Sequence, residues 1–104
     1  QYEGVILDPP KFGRGPNGET WRIEENLAEL LAELPALLAP AGDKPRFVIA
    51  TLYALRLSHL ALARTLTDAI EGLGGEIDAG EMALAEDKTG RLLPTALYAR
   101  WTGA

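Results

Sequence analysis

Val5-Ile6-Leu7 is a short apolar run without alternation, cut off abruptly at Asp8-Pro9-Pro10. Unalternated β-branched residues predict a strand buried on both faces, the habit of parallel sheets. The two prolines end it, because neither can donate to a sheet ladder. Residues 11–20 carry Gly13, Gly15, Pro16, Asn17 and Gly18, which predicts a loop. Over 23–39, Ile23, Leu27, Leu30, Leu31, Leu34, Leu37 and Leu38 recur at three- and four-residue spacing and predict a helix with one apolar face. Glu24, Glu25, Glu29 and Glu33 fill its other face. Pro35 should kink or end the regular helix near Leu34. Phe47-Val48-Ile49-Ala50-Thr51-Leu52 predicts a second buried strand. Ser58 then has the chemistry of an N-cap, with Leu57 and Leu62 at hydrophobic-staple spacing. The helix it opens aligns Leu62, Leu66, Ile70 and Leu73 and should stop at Gly74-Gly75. Two extended stretches, 76–86 and 92–101, flank Asp87-Lys88-Thr89-Gly90, a hairpin signal.

The order is strand, helix, strand, helix, hairpin. That pattern predicts an α/β fold: two parallel strand–helix units with right-handed crossovers, followed by an antiparallel hairpin at one edge of the sheet. Ligands in such sheets bind beyond the carboxyl ends of the strands. Asp8 occupies that place for the first strand, and the residues after Thr51 occupy it for the second.

Composition narrows the picture. The 104 residues suit one compact domain, and 47% hydrophobic with 24% charged residues is ordinary globular composition. No apolar run approaches the roughly 20 residues needed to span a bilayer, and no membrane partner is expected. The 15 acidic and 10 basic side chains give a net charge of −5, which argues against non-specific coating of nucleic acid. The acidity is uneven. Lys11, Arg14 and Arg22 against Glu19 leave residues 11–22 at +2, whereas 67–87 holds seven acidic and no basic residues, as a solvated outer face would. The chain also enters its first strand at once, without Met or lead-in, as a piece of a longer protein would.

Asp8-Pro9-Pro10-Lys11-Phe12 is the strongest local signal. Two prolines fix φ and remove two N–H donors, leaving carbonyl acceptors beside a carboxylate. Such a cluster suits a planar amino group, whose N–H bonds point at Asp8 and a proline carbonyl. Phe12 is placed to stack on the ring carrying that amine. Accepting those hydrogen bonds discourages delocalisation of the nitrogen lone pair and makes the amine a better nucleophile. The plainer alternative is that Asp-Pro-Pro only terminates a strand.

Residues 5–12 resemble motif IV of class I S-adenosylmethionine-dependent methyltransferases. The Asp-Pro-Pro-Lys-Phe form is similar to that of a bacterial large-subunit ribosomal RNA methyltransferase group containing 5-methylcytosine enzymes. The resemblance covers essentially the whole chain and implies the carboxyl-terminal half of a Rossmann-like methyltransferase domain, residues 1–104, in a cytoplasmic enzyme. It implies methyl transfer from S-adenosylmethionine to a nucleobase, with ribosomal RNA as the expected partner and Asp8, Pro9, Pro10 and Phe12 as catalytic residues. Lys11, Arg14, Tyr53 and Arg56 are the expected substrate contacts, and Asp8 is also the one residue here expected to meet the cofactor. The glycine-rich loop that cradles the cofactor is absent. Gly13-x-Gly15 follows the motif instead of preceding it and opens no immediate helix, so it is not a nucleotide fingerprint. The cofactor half is therefore expected upstream of Gln1, as the rest of the same domain.

Covalent 5-methylcytosine chemistry needs a thiolate that attacks the ring. Relatives place that cysteine near Tyr53-Ala54-Leu55, and this sequence has none. Direct transfer, in which the protein supplies proximity and orientation, is the expectation. The alternatives are an amino-methyltransferase acting on DNA, protein or a small molecule, and a non-catalytic α/β binding module. His59 has no second histidine or cysteine to form a metal site with, which favours a solvated or capping role and no metal. Trp21 is expected to anchor by packing, and Trp101, Tyr98 and Leu97 to form hairpin core.

Overall fold

The fold is that of a computed structural model, which describes residues 1–53 and 57–104. In chain order the elements are β1 (Gly4–Leu7), β2 (Phe12–Arg14), β3 (Thr20–Arg22), α1 (Ile23–Ala32), α2 (Leu34–Leu37), β4 (Arg46–Leu52), α3 (His59–Ala69), β5 (Glu76–Ala85) and β6 (Leu92–Gly103). The main sheet has the order β1-β4-β6-β5. β1 runs parallel to β4, with Val5 opposite Val48 and Leu7 opposite Ala50. β6 inserts antiparallel between β4 and β5. Both crossovers thus return the chain in the starting direction, and the hairpin fills the gap left by the second. The mixed α/β sheet ending in an antiparallel hairpin agrees with the expectation at that level.

Alternation along β4 decides which face is covered. Val48, Ala50 and Leu52 are buried and join Ala99 and Trp101 of β6 against Leu27, Leu31, Leu34, Leu62, Leu66 and Ile70 of the helical layer. Phe47, Ile49 and Thr51 point the other way, as strand geometry requires. On that side Ile6 is 70% exposed and Phe47 38%. The expectation that β1 is buried on both faces is therefore corrected: among the described residues, helices cover one face only. Trp101 is fully buried, and its indole N–H donates to the Gly74 carbonyl at 2.7 Å. The Arg46 guanidinium lies 5.2 Å from the Trp101 ring and donates to the Ala39 and Ala104 carbonyls, which lets a charged group be buried.

Local signals behaved unevenly. Ser58 caps α3, its hydroxyl accepting the Ala61 N–H at 3.1 Å. The regular helix ends at Ala69, and turns carry the chain on to Gly72, Gly74 and Gly75, all at positive φ. The 23–39 pattern splits into α1 and α2, since Pro35 lacks the N–H that a continuous helix needs and instead sits in the first turn of α2. Gly90 takes φ +70° in the β5–β6 turn. The seven acidic side chains of 67–87 are all exposed, as expected. The largest departure is in 11–20, which is not a plain loop: β2 and β3 pair antiparallel as a separate two-stranded ribbon.

Candidate functional site

Leu7 is the last residue of β1, and its partner in register is Ala50. The next step along both strands puts Asp8 beside Thr51, and each points away from the helical layer. The Thr51 hydroxyl oxygen lies 2.7 Å from Asp8 Oδ1 and 3.4 Å from the Leu7 carbonyl oxygen. A hydroxyl has one proton, so the shorter, charge-assisted partner takes it. Thr51 thereby fixes the Asp8 carboxylate and leaves Oδ2 open. Sequence reasoning missed Thr51, although its place at the carboxyl end of the adjoining strand was the available signal.

The prolines divide their roles. The Pro10 carbonyl accepts the Trp21 indole N–H at 2.6 Å, while the Pro9 carbonyl has no hydrogen-bond partner among the described residues. The open acceptors are therefore Asp8 Oδ2 and the Pro9 carbonyl. Two neighbouring acceptors without a donor suit a group with two N–H bonds and repel a carbonyl or phosphate.

Trp21 ties the ribbon to this motif. Gly13 and Trp21 are opposite each other on its inner face, and Trp21 packs against the core, the anchoring role predicted for it. Ile23 N–H donates to the Lys11 carbonyl at 3.1 Å, closing the ribbon onto the start of α1. The turn is made by Gly15 N–H donating to the Glu19 carbonyl at 2.8 Å, with Gly18 at φ +84°. A Cβ on Gly15 would meet the Glu19 carboxylate, the far end of a flexible side chain that would have to shift. Backbone N–H donors, its own first and then that of Asn17, hold the Glu19 carboxyl below its ordinary value of 4.5.

Alternation puts Phe12, Arg14, Thr20 and Arg22 on the outer face, all exposed. The Arg14 and Arg22 guanidinium carbons lie 5.9 and 5.8 Å from the Phe12 ring centroid. The structure therefore makes two groups: Asp8, Pro9 and Thr51 at the strand ends, and Phe12, Arg14 and Arg22 on the ribbon. Lys11, between them, is exposed. Tyr53, 54% exposed, belongs to neither group. It lines a cleft of about 250 Å³ with Leu57, Glu81 and Pro94. Arg56 lies outside the described residues. Larger hollows of about 430 and 510 Å³ lie around Gly42–Pro45 and beside Asp68 and Gly72, without Asp8 in their walls. The chemistry outweighs the volume here, because neither hollow sets a carboxylate beside two prolines at the carboxyl end of a parallel strand. Among the described residues no three histidine or acidic side chains cluster as metal ligands would.

No family profile matches the sequence, and no curated protein matches it either. Solved structures do. A SAM-dependent methyltransferase from Agrobacterium tumefaciens superposes with TM-score 0.84 at 31% identity, over 96% of this chain and 33% of that protein. SMU.776, a methyltransferase by assignment that is complexed with SAH, superposes with TM-score 0.53 at 18% identity, over 96% of this chain and 26% of that one. The latter is a likeness of fold alone. The chain thus spans about a third of the length of the first structure, and its mixed four-stranded sheet with helices matches part of a methyltransferase fold. Over that stretch, the chain is related to SAM-dependent methyltransferases.

Proposed function

We propose that this chain is the acceptor-side part of a methyltransferase that moves a methyl group from S-adenosylmethionine to an amino nitrogen of a nucleobase, with ribosomal RNA as substrate. The carrying observation is the pair of open acceptors, Asp8 Oδ2 and the Pro9 carbonyl, beside a carboxylate already fixed by Thr51. The similarity to the Agrobacterium SAM-dependent methyltransferase supports the methyl-transfer part of this reading.

The described residues do not fit the cofactor by themselves. The turn after β1 contains two prolines and so lacks the N–H donors that hold an anion, and Asp8 is the only residue assigned to meet the cofactor. Those donors belong, in this proposal, to the upstream part of the same domain, which also covers the open face at Ile6. The cofactor, when bound, supplies an electrophilic methyl group. Everything else asked of the site is done by this chain. Asp8 Oδ2 and the Pro9 carbonyl each accept one N–H of the amine, which fixes its plane and keeps the lone pair on nitrogen. Phe12 stacks on the base, and Asp8 Oδ2 receives the proton the nitrogen gives up. No thiolate is needed, because nitrogen carries its own lone pair, and most of the catalytic effect is orientation.

The test is tritium transfer from labelled S-adenosylmethionine by the full-length protein to ribosomal RNA, DNA and protein extracts, with Asp8→Ala and Phe12→Ala alongside. Label in RNA that disappears with Asp8→Ala is the expected result. Wild-type transfer with both residues replaced removes the catalytic assignment, and label in DNA or protein alone removes RNA.

A further inference from the structure

We propose that the outer face of the β2–β3 ribbon is a phosphate-binding platform for the single strand of RNA that carries the acceptor base. The inference rests on the functional reading above and adds to it the basic side chains around Phe12, with Arg22 as a new member. Two observations carry it. First, Arg14 and Arg22 flank one exposed aromatic ring at 5.9 and 5.8 Å, and neither has a carboxylate at ion-pair distance among the described residues. Second, the one acid within residues 11–22 is already committed: the Glu19 carboxylate accepts the Asn17 N–H at 2.9 Å within the turn. Among the described residues the two guanidinium groups are thus without an ion-pair partner, in a chain whose net charge is −5.

The ribbon supplies rigidity as well as charge. Phe12 and Arg22 are cross-strand partners and Arg14 is two residues along the same face, so both cations are held over the ring by backbone register rather than by their own flexible stems. The inner face is fastened through Trp21 to the Pro10 carbonyl, two residues from Asp8. The platform is therefore fixed relative to the acceptor pair. A planar guanidinium suits phosphate oxygens, and a ring bracketed by cations suits a polyanion with stackable bases. A nucleotide with its base at Asp8 and Pro9 has flanking phosphates to place, and nothing in the acceptor pair attracts them.

The experiment measures binding apart from methylation. Fluorescence anisotropy follows a labelled mixed-sequence single-stranded RNA of about 15 nucleotides binding to the full-length protein at several salt concentrations. Arg14→Gln/Arg22→Gln should weaken binding about tenfold and reduce the slope of log affinity against log salt by roughly 1.4, or about 0.7 per lost phosphate contact. Phe12→Leu should weaken binding a few-fold with the slope retained, since both charges remain. Melting temperatures verify that the variants fold. Absence of RNA binding by the wild type, an unchanged slope in the double variant, or equally tight arginine-dependent binding of poly-glutamate overturns the proposal. RNA binding of the expected form without methyl transfer leaves the platform standing and removes the methyltransferase reading. Methyl transfer to RNA with an arginine-independent slope does the reverse.

Discussion

Thr51→Val is the sharpest test of how Asp8 is held. Valine keeps the β-branched shape that suits β4 and replaces the hydroxyl with a methyl group of similar size, so the strand and its register should persist. What is lost is one donor at 2.7 Å from Asp8 Oδ1. A hydrogen bond to a charged group contributes about 1.5–3 kcal/mol when shielded. Asp8 is exposed and Thr51 half-buried, so water competes and about 1 kcal/mol is the appropriate magnitude. If that stabilisation serves to orient the carboxylate toward the amine, kcat/KM for methyl transfer should fall about fivefold. Thr51→Ser restores the donor and should recover most of the loss, whereas a purely structural role for the threonine methyl group would leave serine impaired. Steady-state transfer from labelled cofactor gives the rates, and the melting temperature should fall by only a few degrees for Val, as about 1 kcal/mol implies. Full activity in Thr51→Val, or equal impairment in Ser and Val, refutes the positioning role.

Other consequences are independent of that bond. Trp101→Ala removes the largest fully buried side chain, together with its bond to Gly74 and its stacking under Arg46, and should cost about 3–5 kcal/mol by urea denaturation. Trp21→Phe keeps the bulk but loses the donor to Pro10; it should cost about 1 kcal/mol locally and speed amide exchange across 11–22 before the rest of the chain. Glu19 should titrate by NMR below 4.5. Because its folded value is the lower one, its small contribution to stability is present above 4.5 and is lost as pH falls through the folded value. Residues 1–104 alone should show no useful S-adenosylmethionine affinity by calorimetry, and tight binding would remove the assignment of the cofactor's donors to the upstream part.

The sheet was legible because its signals are local and strong. Unalternated apolar runs, a serine cap and a glycine turn specify strands, helix start and hairpin from a few residues each. Burial was less legible, since Val5-Ile6-Leu7 reads the same whether or not a layer lies over Ile6. The ribbon was hidden for a different reason. Glycine and proline in 11–20 predict a loop, and the pairing of Phe12 with Arg22 arises only once Trp21 has a core to pack on and the Pro10 carbonyl to bond. Such tertiary anchoring overrides local propensity.

The same contrast explains the site. Asp8-Pro9-Pro10 was readable because prolines announce missing donors in the sequence itself. Which acceptors remain open was not, since that depends on two partners distant in sequence: Thr51, which takes one oxygen of Asp8, and Trp21, which takes the Pro10 carbonyl. Both bonds narrow the motif to one pair of acceptors, Asp8 Oδ2 and the Pro9 carbonyl. A turn that only ended a strand would gain as much from water at those oxygens as from fixed donors. Loss of activity in Thr51→Val that Thr51→Ser recovers therefore separates a site from a turn.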